Sequence, residues 1–146
     1  MGQSAHVVRS GNVVFIAGQT AEDRDGGVVG VGDPTAQARQ AYSTVATCVW
    51  AVGGAPDAIV HMTVYISDRD ELPAMRGVRQ EFLGDHTTTT RLLVVAGLSH
   101  PEFLIEVGAI ACLEGRRLVI LSPSWEGRRI SRDVGTLGGE RPFASA

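Results

Sequence analysis

The sequence contains no lysine, because all 13 of its basic residues are arginine. This absence excludes every mechanism that needs a lysine amine, such as a Schiff base with pyridoxal phosphate, a lysine nucleophile or a P-loop lysine. The four histidines and two cysteines show no metal-ligand spacing, and no Gly-x-Ser-x-Gly elbow is present. We therefore predict that the protein uses no lysine-bound cofactor and no metal ion.

Long apolar runs are also absent. No run approaches the roughly 18 residues of a membrane span, and the start, MGQSAHVVRSG, lacks the apolar region of a signal peptide. The two cysteines, Cys48 and Cys112, occupy apolar positions of a predicted helix and strand, as reduced core thiols do. These features predict a cytoplasmic protein with no membrane partner.

Strong charge of either sign is missing as well, since the net charge is −3. Residues 1–113 carry 7 Arg against 12 Asp plus Glu, which gives −5, and residues 114–146 carry 6 Arg against 4, which gives +2. The charge of the first 113 residues therefore argues against a nucleic-acid partner, and only the remainder has the positive charge to attract phosphate.

The apolar patterns that are present predict the order ββαβαββ. Residues 5–9 and 13–17 indicate a hairpin, Asp33-Pro34 starts an amphipathic helix that ends at Gly53-Gly54, and residues 59–66 indicate a strand. A second helix runs from Asp68 or Asp70 to about Leu83. Residues 92–98 and 104–112 are two short apolar runs around a Ser-His-Pro-Glu turn, which we interpret as a second hairpin.

This order predicts one two-layer α+β domain over residues 1–113, with both helices on one face of a mixed or antiparallel sheet. Apolar residues on both faces of the last strands predict that the second face is covered too, most simply by self-association. Residues 114–146 are rich in Gly, Ser and Arg and predict an extension, with an edge strand near residues 118–121 and then a loose tail.

Two charged residues stand out in the last apolar stretch, Arg91 at its entrance and Glu106 inside its second half. A buried carboxylate is costly without a partner, so Glu106 reaches solvent or meets a polar group. In the predicted hairpin the two residues lie on the order of 13 Å apart, at about 3.3 Å per residue, so they cannot pair within one chain. A substrate must span the gap, or a neighbouring subunit must close it.

Arginine presents a planar fork that suits a carboxylate, and a carboxylate in an apolar setting can act as a general base on water. Together they suit the hydrolysis of a small carboxylated substrate, with His61, Tyr65 and the threonine run at residues 87–90 as accessories. The structural alternatives are that Arg91 forms a salt bridge, that Glu106 is an interface residue, and that His61 and Tyr65 only pack in the sheet.

Four stretches resemble the reactive-intermediate deaminase family, RidA/YjgF/L-PSP. They are VVFIAGQTA (13–21), GDPTAQARQAYSTVATCVWAVGGA (32–55), TVYISDRDELPAMRGVRQEFLG (63–84) and RLLVVAGLSHPEFLIEVGAIA (91–111). The resemblance implies a chorismate-mutase-like fold, a homotrimer whose sheets line a barrel, and sites between subunits. It also implies cofactor-free hydrolysis of enamines and imines of amino acids to 2-keto acids and ammonia.

By this resemblance, Arg91 binds the substrate carboxylate and Glu106 positions the water. The strand that begins at Leu92 and Leu93, together with the turn at Ala17 and Gly18, borders the substrate. Departures from the typical deaminases fall on Ser4, Ala17, Arg76 and Leu93. They bear on the substrate more than on the hydrolytic chemistry, since Arg76 could engage a second acidic group, as in a 2-aminomuconate-like diacid.

Two other functions stay open at the level of sequence. The altered pocket positions suit a trimeric ligand-binding or regulatory protein without turnover. Ribonuclease action is attached by name to some relatives, and the −5 charge of residues 1–113 argues against it.

Overall fold

The computed structural model describes residues 5–113 with their side chains, and the backbone of residues 120–123 and 130–133. Ser4 lies outside the described residues. The chain divides into two compact units, Met1–Leu113 and Glu114–Ala146. The first unit contains a five-stranded sheet and two α-helices, and the second contains a two-stranded sheet.

The elements of the first unit follow the predicted order ββαβαββ. The strands are β1 (Val7–Ser10), β2 (Val13–Gln19), β3 (Ile59–Ile66), β4 (Thr89–Val94) and β5 (Ile105–Cys112). The helices are α1 (Pro34–Ala51) and α2 (Leu72–Leu83), with 3-10 turns at Pro56–Ala58 and Arg69–Glu71. The predicted two-layer α+β class is confirmed.

Helix α1 starts where its sequence predicts. The Asp33 carboxylate accepts hydrogen bonds from the backbone N–H groups of Thr35 and Ala36, both at 3.0 Å, and Pro34 supplies a ring already set to the helical φ. Asp68, one of the two residues predicted to start the second helix, precedes a 3-10 turn instead. It caps the 3-10 turn by accepting from the N–H of Asp70 at 2.9 Å, and α2 itself has no side-chain cap.

The sheet has the order β1-β2-β5-β3-β4, with β3 and β4 parallel and the other pairs antiparallel. The predicted hairpin of β4 with β5 is therefore wrong, because β3 lies between them. The reason is the crossover through α2, which delivers β4 parallel to β3 at the sheet edge. The loop of residues 95–104 then crosses the end of β3, so that β5 pairs with β3 and β2.

Side chains of β3 and β5 alternate between two faces of this sheet. One face packs under α1 and α2 and forms the core, which includes Met62, Val64, Ile66, Ile105 and Val107. We call the other the open face. No described element covers it, so its apolar side chains are exposed: Val8 to 52%, Phe15 to 50% and Leu93 to 38%.

The second unit is described only by its backbone strands, β6 (Ile120–Pro123) and β7 (Ile130–Asp133), which pair antiparallel. The strand predicted near residues 118–121 overlaps β6 at residues 120–121, and its first two residues lie outside the described part. The predicted loose tail also falls largely outside it. Neither α1 nor α2 has the length and apolar character needed to span a bilayer.

Candidate active site

Two adjacent rows of residues cross the open face and contain most of the predicted site. In the first row, Thr63 of β3 is the register partner of both Arg91 on β4 and Gly108 on β5. In the second row, two residues further along β3, Tyr65 is the partner of Leu93 and Glu106. Register partners point to the same face of a sheet, so Arg91, Leu93 and Glu106 share the open face.

A β-bulge in β2 brings the third part of the site to these rows. Ile16 pairs with Ala109 and Gln19 with Val107, so β2 has one residue more than β5 between these pairs. The extra length places Gly18 under the Glu106 side chain. A Cβ atom at Gly18 would lie 2.5 Å from Cδ and 2.8 Å from Cγ of Glu106, so any side chain there would displace this carboxylate from its position.

Hydrogen bonds on the core side hold the bulge. Gln19 is 3% exposed, and its amide Nε2 donates to the backbone oxygen of Ala17 at 2.9 Å. Its Oε1 lies 3.2 Å from Nδ1 of His6, while the N–H of Ala17 donates to the backbone oxygen of His6 at 3.0 Å. These bonds fix the backbone of the exposed Ala17, the residue before Gly18.

Arg91 is exposed and Glu106 is half-buried, and neither side chain has a hydrogen bond or an ion pair within the described part of the chain. Both charged groups are therefore available to a ligand. Two strand spacings of about 4.8 Å and a two-residue step of about 3.3 Å per residue separate their Cα atoms by roughly 12 Å. They do not pair, as predicted, although the intervening element is β3 rather than a hairpin.

The Glu106 side chain lines a cleft of about 340 Å³ beside the loop of residues 95–104. The cleft is lined by Tyr65, Val95, Gly97, Leu98, Ser99 and Glu106. Both ends of the loop are tied to the end of β3, since the N–H of Val95 donates to the Ile66 oxygen at 2.9 Å and the N–H of Ser67 donates to the Leu104 oxygen at 3.1 Å. The wall beside Glu106 is thus held by backbone hydrogen bonds.

The family model described as endoribonuclease L-PSP matches residues 2–113. The chain belongs to this family, YjgF/RidA. A RutC family protein of Pyrococcus horikoshii is 30% identical over 114 residues, which cover 78% of this chain and 90% of that protein. The predicted family is confirmed.

Solved structures of the L-PSP family share the fold. A candidate endoribonuclease of Thermotoga maritima has a TM-score of 0.73 at 27% identity, covering 79% of this chain and 90% of that one. Escherichia coli TdcF with bound serine has a TM-score of 0.72 at 28% identity, covering 78% of this chain and 91% of that one.

Two residues of the predicted substrate site have side chains that do not lie on the open face of this L-PSP domain. Arg76 is on the exposed side of α2, in the helical layer, so the fold does not bring it to the open face of its own chain. Leu92 turns its side chain to the core. The backbone of Leu92 is better placed to contact a substrate, because β4 is an edge strand. On this strand the N–H of Val95 points inward to β3. By alternation along the strand, the N–H groups of Leu92 and Val94 point to the open edge.

Thr63 and Gly108 belong to the site although nothing in the sequence singled them out. Thr63 lies in the apolar run of β3 and Gly108 in that of β5, where each is simply one more strand residue. The signal that could find them is register: Thr63 joins Arg91 to Gly108, and Gly108 leaves the middle of the open face without a side chain.

Proposed function

We propose that this L-PSP family member hydrolyses small carboxylated enamines and imines to 2-keto acids and ammonia, without a cofactor. The observation that supports the proposal most is the placement of Glu106, a half-buried carboxylate over Gly18 at the wall of a cleft. It has no cation or hydrogen-bond donor within the described residues to occupy it. A carboxylate held in this way is suited to take a proton from water.

Arg91 is the proposed carboxylate anchor. It is exposed on the edge strand β4, and it lacks an acidic partner among the described residues. A guanidinium group binds a carboxylate by two parallel N–H···O bonds, which fixes the plane of the substrate as well as its position. The outward N–H groups of β4 beside it offer further donors for the substrate.

In the proposed reaction an imine R–C(=NH)–COO⁻ and one water give R–C(=O)–COO⁻ and NH₃. Glu106 takes a proton from water as the oxygen attacks the imine carbon, and passes this proton to the nitrogen to give the carbinolamine R–C(OH)(NH₂)–COO⁻. Glu106 then takes the proton of the carbinolamine hydroxyl group and gives it to the nitrogen, so that the C=O bond forms as the C–N bond breaks and NH₃ leaves. Glu106 therefore ends the cycle as it began, as a carboxylate.

We also propose that the active form is a homotrimer with its sites between subunits. Two features support self-association: the open face exposes Val8, Phe15 and Leu93 to solvent, and Arg91 and Glu106 of one chain are too far apart for one small substrate. We expect sedimentation equilibrium to give three times the monomer mass of 15.4 kDa. A stable monomer at micromolar concentration would contradict the interfacial site.

Within the chain, we propose that residues 1–113 carry the activity, in the cytoplasm, and that residues 114–146 are an extension of this domain. Arg76 belongs to the substrate site only if the helical layer of a neighbouring subunit presents it to the open face. In that assembly Arg76 would bind the second carboxylate of a dicarboxylic substrate.

A second candidate function is ligand binding without turnover, which the bound serine of TdcF favours because it is a small carboxylated ligand. An ammonia-release assay distinguishes hydrolysis from binding without turnover. Its substrates are freshly generated imines of several amino acids, including dicarboxylic ones. We expect wild-type protein to release ammonia from at least one imine and Arg91→Ala to lose most of this rate. Binding of keto acids without ammonia release from any imine would favour the binding function.

A further inference from the structure

A hydrogen-bonded chain of side chains on the open face ends beside Arg91. Nδ1 of His61 lies 2.9 Å from Oγ1 of Thr89, and Oγ1 of Thr89 donates its proton to the Val60 oxygen at 3.0 Å. On the other side of the ring, Nε2 of His61 lies 3.3 Å from Oγ1 of Thr63. Thr63 is the register partner of Arg91.

The direction of each bond in this chain follows from donor counting. The Val60 oxygen can only accept, so the single hydroxyl proton of Thr89 is used there. Thr89 must then accept from His61, which places the proton of the neutral ring on Nδ1. Nε2 is left as an acceptor, so Thr63 donates its hydroxyl proton to His61. In this state Thr63 has no proton to offer to an anion beside Arg91.

A proton taken up by His61 reverses the last bond. Both ring nitrogens then donate, so Oγ1 of Thr63 accepts from Nε2 and its own proton becomes free. Gly108 faces Thr63 from the other side, and its missing side chain leaves this part of the open face clear for a ligand. Thr63 can then donate to a carboxylate that Arg91 holds.

We infer that Thr63 is a second contact of the carboxylate bound by Arg91, and that His61 is a positioning residue that controls whether the Thr63 hydroxyl donates or accepts. The inference rests on the proposed role of Arg91 as the carboxylate anchor. It does not require turnover. Carboxylate binding is expected to tighten as His61 takes up a proton, through the new donor and the added positive charge.

Other charged or titratable groups share the open face with His61. They are Arg91 on β4, Tyr65 on β3, and Glu106 and Cys112 on β5. Glu106 also affects the binding of anions, so the pH dependence of the wild type is not sufficient by itself. The comparison with variants of His61 and Thr63 identifies the part that passes through this chain.

The test is calorimetric titration of the full-length protein with pyruvate at about pH 5.5 and about pH 8, the interval in which histidine changes charge. We expect wild type to bind roughly tenfold more tightly at the lower pH, the size of a hydrogen bond to a charged group. His61→Gln should lose most of this difference. Thr63→Val should lose the part of this difference that comes from the new donor and keep only the smaller part that comes from the positive charge of His61.

The matched control is His86→Gln, since His86 also bonds to β3, at 2.7 Å to the Ile59 oxygen, without belonging to this chain of bonds. It should keep the wild-type pH dependence. Full pH dependence in Thr63→Val, or in His61→Gln, would overturn the inference while leaving Arg91 as the anchor. Unchanged binding in Arg91→Ala would remove the anchor and the inference together. Thermal unfolding shows whether each variant is folded. If His61→Gln does not fold, Thr63→Val alone tests the inference.

Discussion

Gly18→Ala is expected to displace the Glu106 carboxylate while leaving the fold intact. The new Cβ would lie 2.5 Å from Cδ of Glu106, whereas carbon atoms in contact are about 3.5 to 4.0 Å apart, so the carboxylate has to move by roughly 1 Å. Gly18 is exposed and does not have a positive φ, so alanine fits its backbone. A displacement of this size costs on the order of a hundredfold in turnover.

The assay is steady-state ammonia release, with calorimetric binding of a keto acid beside it. We expect the kcat of Gly18→Ala to fall about a hundredfold, and keto-acid affinity to stay within about threefold because Arg91 lies in the other row. Gly77→Ala is the matched control, since its Cβ would meet no atom within 4 Å and it lies in α2, away from the open face. A folded Gly18→Ala with wild-type kcat would refute the role given to the position of Glu106.

Three further predictions concern the fold and the chemistry. Burial of Tyr42, which is 2% exposed, raises its pKa from 10.0 to about 12 against the opposing effect of Arg79. The unfolded state therefore loses this proton first, so the free energy of unfolding of wild type should fall by about 2 kcal/mol between pH 10 and 12, and that of Tyr42→Phe by correspondingly less. Denaturant titrations at both pH values measure this; equal losses in the two proteins would contradict it. Asp33→Ala removes the acceptor of two N–H groups at the start of α1 and should cost about 1 kcal/mol in the same measurement at neutral pH; no change would mean that water replaces the cap. Protein treated with a chelator or with borohydride, and freed of the reagent before the imine is added, should keep its ammonia release, since the sequence has no lysine to form an imine; loss after either treatment would contradict the cofactor-free mechanism.

Local patterns predicted the five strands and two α-helices of the first unit, because each has a local cause, although β4 (Thr89–Val94) begins before the predicted run of residues 92–98 and ends within it. The cap at Asp33 and Pro34, and the apolar spacing that follows, are contained within one helix. The bounds of β3, Ile59–Ile66, agree with the predicted strand for the same reason, since strand length and β-branched content are properties of one segment.

Strand pairing could not be predicted in this way. The two apolar runs that form β4 and β5 are neighbours in the sequence, which favours a hairpin, but the partner of each is β3. Which strands pair depends on the packing of α2 and on the path of the loop of residues 95–104. Neither affects the residue pattern of the strands themselves. The bulge at Ala17 and Gly18 escaped prediction for the same reason, because it exists only relative to β5.

Some residues of the candidate site could also be predicted from local sequence, and others could not. Arg91 and Glu106 could be found because a charge in an apolar run needs an explanation, whether or not its neighbours are known. Thr63 and Gly108 are ordinary strand residues until the register places them between the two charges. Arg76 was predicted from its difference from the family pattern, and a single chain keeps it in the other layer.

Replacement of Glu106 by glutamine tests the proposed chemistry most directly. Glutamine keeps the shape over Gly18 and most of the hydrogen bonding, but it cannot accept a proton from water. With an imine that wild type hydrolyses, we expect Glu106→Gln to lose on the order of a hundredfold or more in kcat while keto-acid affinity stays near wild type. Normal turnover by a folded Glu106→Gln would mean that the glutamate is structural and that water is activated elsewhere.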